Sequence, residues 1–538
     1  MDQRPVSAVP QKGPPSWRLA PPHDKLTQGM VVSGFASLPT GRALFLKFDW
    51  KGVAKKKGGA WLAALYEVAP ISDADGREER SAGLGLTWEG MRKMGLSPNA
   101  LASFDRPFKE GMFQEDRLRR LGDRREDKWL ETVIPGGPKW SGNTPLDDAA
   151  VDDEARAFDD EEKIVEARIT TPITVHALLL LYEKDEETAE AWCKTVGDAL
   201  APFDVKIVHG LPLDLRPDER GIAREHFGFA DGVSQPAPFE AGTVIVKGGA
   251  DYPKDPWNGV PLGEVLMGHE NGHHEIALGP VVVDSAEGRA AGLPPHPRGE
   301  GFLDLGLDGS YMVVRELKQD VTKFWESMHA GAERINQRDP QHGGHINADW
   351  IANRVIGRDL NGNLLCPMSP TGVLPVDKYN QPDNDFLFYD RDRLGHGCPL
   401  GSHVRRGNPR DGLAPKPSDK QTLLDASNNH RILRRGRKYG PTIADPLKDD
   451  GADRGLLFIC LNTDITRQFE FVQQTWMLNQ NFAFLYDEAD PLLGPKGTLT
   501  IPQEPLRRII EVDSFVKMAG GEYFFLPSMP ALRYLASL

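Results

Sequence analysis

Apolar residues along this chain fall into two kinds of run, and their spacing predicts the elements. RALFLKFDW, ending at Trp50, reads as a strand, and AWLAALYEV, from Ala60, as a helix. AGLGLTWEGMRKMGL predicts a strand followed by a helix. Further on, ITVHALLLLYE is a continuous apolar run of the kind shown by a strand buried on both faces. EETAEAWCKTVGDALAPF then reads as an amphipathic helix and FDVKIVHG as another strand. Strand and helix alternate with some direct strand-to-strand links, an order that suits a ferredoxin-like α+β unit.

The second half repeats the style. GSYMVVRELKQDVTKFWESM predicts a strand leading into a helix, GLLFICLNTDITRQFEFVQQTWML does the same, and EYFFLP supplies a final strand. The expected architecture is two similar α+β halves of unequal length, an N-terminal domain over residues 29–240 and a C-terminal domain over 241–538. Residues 1–28, rich in Pro, Gln and Lys without periodicity, predict a flexible or surface-draped arm. Residues 121–166 interrupt the first half, and their DDAAVDDEARAFDDEEK block predicts a solvated acidic insertion. Gly-, Pro- and Asn-rich stretches over 236–272 and 361–415 predict long loops, which in compact proteins are functional or disordered.

Composition narrows the class of function. A chain of 538 residues with 39% hydrophobic and 26% charged content can bury a large core and form two to four domains. The net charge of −14 argues against nucleic acid or an anionic membrane as the main partner and favours a small molecule. Cys193, Cys366, Cys398 and Cys460 form no CxxC pair, so neither a zinc knuckle nor a disulfide scaffold is expected. No apolar run reaches the roughly 18 residues of a membrane span, and the first residues lack a signal-peptide pattern; a soluble cytoplasmic protein is the expectation.

Three segments carry candidate chemistry. GFADGVSQP sets Asp231 between two glycines in an otherwise apolar turn, where an Asp ordinarily hydrogen-bonds its own backbone. In CPLGSHVRRGNPR, His403 stands among turn residues; neutral imidazole is the commonest protein ligand for a transition metal, and a lone His is also commonly a hydrogen-bonded structural residue. In NNHRILRRGRKYGP, Ile432 and Leu433 suggest a strand that draws Arg434 inward to meet an anion, with Arg435, Arg437 and Lys438 as a solvated edge. A fourth stretch, HENGHHE, has His269, His273, His274 and Glu275. Its spacing is not HExxH and its Gly and Asn place it in a loop, so a solvated histidine cluster is expected there instead of a zinc-hydrolase site.

In their order, GFADGVSQP, CPLGSHVRRGNPR and ILRRGRKYG resemble three motifs of the dye-decolourising peroxidases. LTQGMVVSGFASLPTGRALFLKF, GSYMVVRELKQDVTKFW and GLLFICLNTDITRQFEFVQQTW are similar in style to the same family, so the resemblance covers most of the chain. It implies a b-type haem, one per chain, beside the second of two ferredoxin-like domains. His403 would be the proximal iron ligand, Asp231 the distal acid-base residue and Arg434 the distal arginine. Leu456 and Phe458 would wall the distal pocket, and Asp490, or a nearby acid such as Asp487, would accept the proximal histidine's other proton. Arg405 and Arg406 would meet haem propionates or else lie at the surface, and a surface Trp476 or Tyr439 would relay electrons. The implied substrates are hydrogen peroxide and bulky aromatic donors, with no nucleic acid or membrane partner and room for a homo-oligomer. A carboxylate base stays ionised in mild acid, so an acidic optimum follows. A non-catalytic haem carrier using the same His403 is the alternative, and it would need neither Asp231 nor Arg434.

Overall fold

The structure is a computed structural model that describes residues 17–538 apart from 55–56, 77–78, 127, 143–171, 247–256, 298, 377–381 and 505. Strand β1, Thr40–Phe48, is buried at all but one position. Helix α1, Ala60–Val68, lays Trp61, Leu62 and Leu65 against the core, as its apolar spacing requires. Strand β2, Ser81–Leu86, and strand β3, Ala177–Glu183, are wholly buried. The continuous apolar run of β3 has its reason in the packing: Leu178 and Leu180 face one cluster, Leu179 and Leu181 another. Helix α2, Glu186–Leu200, is capped by Asp185, which accepts from the Thr188 N–H, and buries Ala189, Trp192, Val196 and Leu200. Strand β4, Val205–Asp214, completes this half.

The second half supplies strand β5, Ser310–Gln319, and helix α3, Val321–Arg338. A short helix α4, His403–Gly407, follows, then strand β6, Arg437–Tyr439, strand β7, Gly455–Asn462, and strand β8, Val516–Leu526. Neighbouring strands run β5-β7-β6-β4-β1-β3-β2-β8, and β8 pairs back onto β5, so eight strands close a barrel. Leu44 stands opposite both Leu179 and Gly210. The halves are joined where Tyr439 meets Leu213 and where Phe525 meets Leu86. The fold is α+β.

Inside the barrel lie Phe45, Leu178, Leu180, Met312, Val314, Leu457, Ile459 and Phe524. Because successive strand residues alternate, β7 sends Leu457 and Ile459 inward and turns Leu456 and Phe458 to the outer face. The inward pair is fully buried, whereas Leu456 and Phe458 keep accessible surface although β7 is flanked by strands on both sides. That opening on the outer face is where the candidate site lies.

Several expectations need revision. The described part of the N-terminal arm is anchored: Trp17–Leu19 pairs with Val244–Val246, and the buried Gln28 amide meets the backbone of Leu84 and Pro527. A polar side chain with partners in both halves cannot swing free. The acidic block at 146–166 lies outside the described residues. The helix Ala348–Ile356, the hairpin formed by Gly497–Ile501 and Arg508–Val512, and the final helix Met529–Ala536 were not anticipated. Among the described residues no helix is long and apolar enough to cross a membrane.

Candidate active site

His403 opens α4, with the imidazole 26% exposed and Nδ1 at 3.1 Å from Oδ2 and 3.3 Å from Oδ1 of Asp490. Asp490 is buried and also accepts the backbone N–H groups of Leu492 and Leu493 at 3.0 and 2.8 Å. Burial pushes its pKa up, but the charge and hydrogen bond of His403, the Leu493 N–H and the charge of Arg406 outweigh that and hold it below the usual carboxylate value. Asp487 is exposed at the surface, so between the two acids the geometry selects Asp490. With Nδ1–H donated to a carboxylate, the lone pair of Nε2 is free for a metal.

Asp231 sits in a turn whose flanking glycines both take positive φ, +101° at Gly228 and +75° at Gly232. An added Cβ at Gly232 would meet nothing within 4 Å, so the glycine answers a backbone requirement and not a lack of space. The Asp231 carboxylate accepts the Gly232 N–H at 2.6 Å, the local bond its setting predicts. Burial raises its pKa; the Arg434 charge, the Gly232 N–H and Lys438 pull the other way without cancelling it. Arg434 lies in the short strand Leu433–Arg434, opposite Cys460 on β7, which sends its side chain to the same face as Leu456 and Phe458. Its guanidinium donates to the Val233 carbonyl at 2.6 Å and its N–H to Gln235 Oε1 at 3.1 Å, gripping the loop that carries Asp231.

The two pairs converge through one apolar cluster. Phe227, Phe229 and Leu360, which flank the Asp231 turn, pack in the same cluster as Val404, next to His403, and Leu492 and Leu493, next to Asp490. Leu317, which faces Leu456 across β5 and β7, belongs to it too. A small cavity of about 60 Å³ adjoins it, lined by Leu317, Phe458, Phe469, Leu493, Val516 and Met518 among others; His403, Asp231 and Arg434 are not in its lining. The arrangement fits a haem: an imidazole with Nε2 unpartnered among the described residues, an apolar wall left open in mid-sheet, and a half-buried cation whose charge acts on a half-buried carboxylate.

Other expectations are corrected. Arg405 and Arg406 are neither at the surface nor free for propionates. Arg405 donates to the carbonyls of Asp392, Arg393 and Cys398 and stacks over Phe388. Arg406 donates to those of Gly401, Trp476, Met477, Asn479 and Glu488. Both clamp the loops around α4. Arg435 and Arg437, expected as a solvated edge, donate to carbonyls of Met30, Val31, Gly34, Phe35 and Leu38. Trp476 and Tyr439 are buried, Trp476 against His430 and Phe471, so neither is a surface relay, whereas Tyr486 is 87% exposed. His273 and His274 are exposed as predicted; His269 is buried.

Two residues escaped the sequence reading. Glu225, six residues before Asp231, accepts the N–H groups of Phe227 and Phe229 at 2.8 Å and the Gln319 amide at 2.7 Å. Burial, with the Asp231 charge adding to it, raises its pKa to about 7 against those three bonds. Arg358 is buried near Arg410 and Arg434, and desolvation with these like charges lowers its pKa to about 9. A charge immediately beside a motif was the only available signal for Glu225, and none pointed to Arg358.

No family model matches the chain. It is 31% identical over 392 residues to the multifunctional dye peroxidase DyP2 of Amycolatopsis, a match covering 67% of this chain and 71% of that protein. It is 29% identical over 357 residues to the dye-decolorizing peroxidase msp1 of Mycetinis scorodonius, covering 62% of this chain and 60% of the relative. A solved dye-decolorizing peroxidase in complex with 2,6-dimethoxyphenol superposes with a TM-score of 0.64 at 22% identity, over 96% of this chain and 99% of the other. These define a haem peroxidase, an oxidoreductase acting on hydrogen peroxide. The chain belongs to the dye-decolourising peroxidase family.

Proposed function

We propose that the chain holds one b-type haem on His403 Nε2, reduces hydrogen peroxide, and oxidises bulky phenols and dyes by one-electron steps. The observation that carries this reading is the convergence of the His403–Asp490 and Asp231–Arg434 pairs on one apolar cluster beside Leu456 and Phe458. When bound, the haem supplies the redox-active iron at which peroxide is reduced. Leu456 and Phe458 exclude water from the distal side. Asp490 accepts the proton on Nδ1, which fixes the ring and raises its basicity. Ionised Asp231 takes the proton from one peroxide oxygen and returns it to the other, so that water leaves, and the Arg434 cation stabilises the charge that develops as the O–O bond separates. The phenol bound by the solved relative supports a phenolic donor.

In this reading residues 29–240 and 241–538 are two ferredoxin-like domains, with the haem beside the second. Their strand orders support it: β4-β1-β3-β2 in the first and β8-β5-β7-β6 in the second place fourth, first, third and second strands alike. The test is haem uptake by His403→Ala. Wild type should take up one equivalent with a sharp Soret band, and the variant should lose or severely alter it. Identical spectra would refute His403 as the ligand.

A further inference from the structure

Three residues remote in sequence meet on the barrel flank: His23, His269 and Asp308. His23 Nδ1 stands 2.9 Å from both carboxylate oxygens of Asp308, and His269 Nε2 is 2.8 Å from Oδ1. The two imidazoles meet edge to face, centroids 5.1 Å apart, and one ligand atom from each of the three residues lies within 4.8 Å of the others. The other ring nitrogen of His269, Nδ1, is 2.7 Å from Glu240 Oε2. The side chains of Asp308 and His269 are 1% and 5% exposed, while His23 at 23% gives access from solvent.

We propose that His23, His269 and Asp308 form a binding site for a divalent first-row transition ion of the zinc type, with Glu240 as the positioning residue for His269. Two imidazoles and one carboxylate suit zinc and its neighbours, whereas calcium and magnesium take all-oxygen sets. A carboxylate on the far nitrogen of a ligating His is the arrangement that fixes its tautomer, and Glu240, holding the proton on Nδ1, would leave Nε2 as the ligating atom once an ion takes the place of the Nε2–H bond to Asp308. Tetrahedral zinc with bonds of about 2.0–2.1 Å sets its ligand atoms about 3.3 Å apart. The observed contacts of 2.8–2.9 Å need to open by only about half an ångström to admit it. Three protein ligands leave a fourth position for water on the exposed side of His23. The ion would tie the N-terminal segment, through His23, to the turn that precedes β5, a stabilising role independent of the haem.

The test uses the untagged haem-loaded protein, dialysed against chelator and titrated with zinc chloride by calorimetry, with metal content counted by mass spectrometry. One zinc per chain is expected, with a raised melting temperature. His23→Ala and Asp308→Asn should weaken binding at least about 100-fold, Glu240→Gln by about 10- to 100-fold, and His273→Ala, on the same loop but exposed, not at all. Should the first two variants fail to fold, the wild-type stoichiometry and Glu240→Gln decide. No saturable uptake by wild type, or equal uptake in wild type and Glu240→Gln, would overturn the site. Variants that lose stability while wild type binds no zinc would mean a hydrogen-bonded clasp and would overturn it as well.

Discussion

Replacing Asp490 by Asn removes one charge and one acceptor at a defined place. Oδ1 accepts from Leu492 and Leu493 and would be retained as the amide oxygen, so the loop keeps those bonds. Oδ2, which faces His403 Nδ1 at 3.1 Å, becomes an NH₂ group pointing at an N–H donor. The loss is one hydrogen bond to a buried charged group, about 2 kcal/mol. If the imidazole ligates iron through Nε2, this converts to a roughly 30-fold weaker haem affinity, and the less basic ring raises the reduction potential. Haem titration of the apoprotein, followed by a spectroelectrochemical titration, measures both. Affinity within about twofold of wild type together with an unchanged potential would show that Asp490 does not act through the ligand.

Three further outcomes follow from other groups. Arg434 pulls the Asp231 pKa down against burial, so Arg434→Gln should move the acid limb of the pH–rate profile upward; a limb that stays in place or moves down refutes their coupling. Glu225, raised from 4.5 to about 7, favours its neutral form in the fold, so its stabilising contribution is full below about pH 4.5 and lost as pH rises through 7. That is about 3 kcal/mol between pH 4 and 8; Glu225→Gln should flatten this part of the pH dependence in urea unfolding, and parallel curves would contradict it. Arg406→Leu takes a charged donor from five carbonyls, of which those of Met477 and Asn479 keep a backbone N–H, and should cost at least about 3 kcal/mol; a melting temperature within a degree of wild type would show that the clamp is dispensable.

How far the sequence disclosed the protein depended on whether the information was local. β1, β3, α2, β5 and β7 were legible because period-2 and period-3.6 patterns reflect burial by immediate layers. Asp231, His403 and Arg434 were found through motifs. Arg405, Arg406 and Arg437 were misread because a charged residue between turn residues looks solvated, and the carbonyls that receive them belong to loops as far off as Glu488 and Leu38. The choice of Asp490 over Asp487 rests on a contact across 87 residues that no spacing rule encodes. His269 resembled its exposed neighbours, yet its partners Glu240 and Asp308 come from other segments. The helix Ala348–Ile356 was overlooked, although its sequence carries an Asn347 cap and ends at Gly357 with positive φ.

The most direct test of the central claim is the rate at which hydrogen peroxide changes the Soret band of the haem-loaded protein in stopped flow, for wild type and Asp231→Asn at one pH. If Asp231 moves the peroxide proton, the variant should slow by about 10²- to 10⁴-fold with its resting spectrum intact. Equal rates would contradict the account and return the chain to the reading of a haem carrier.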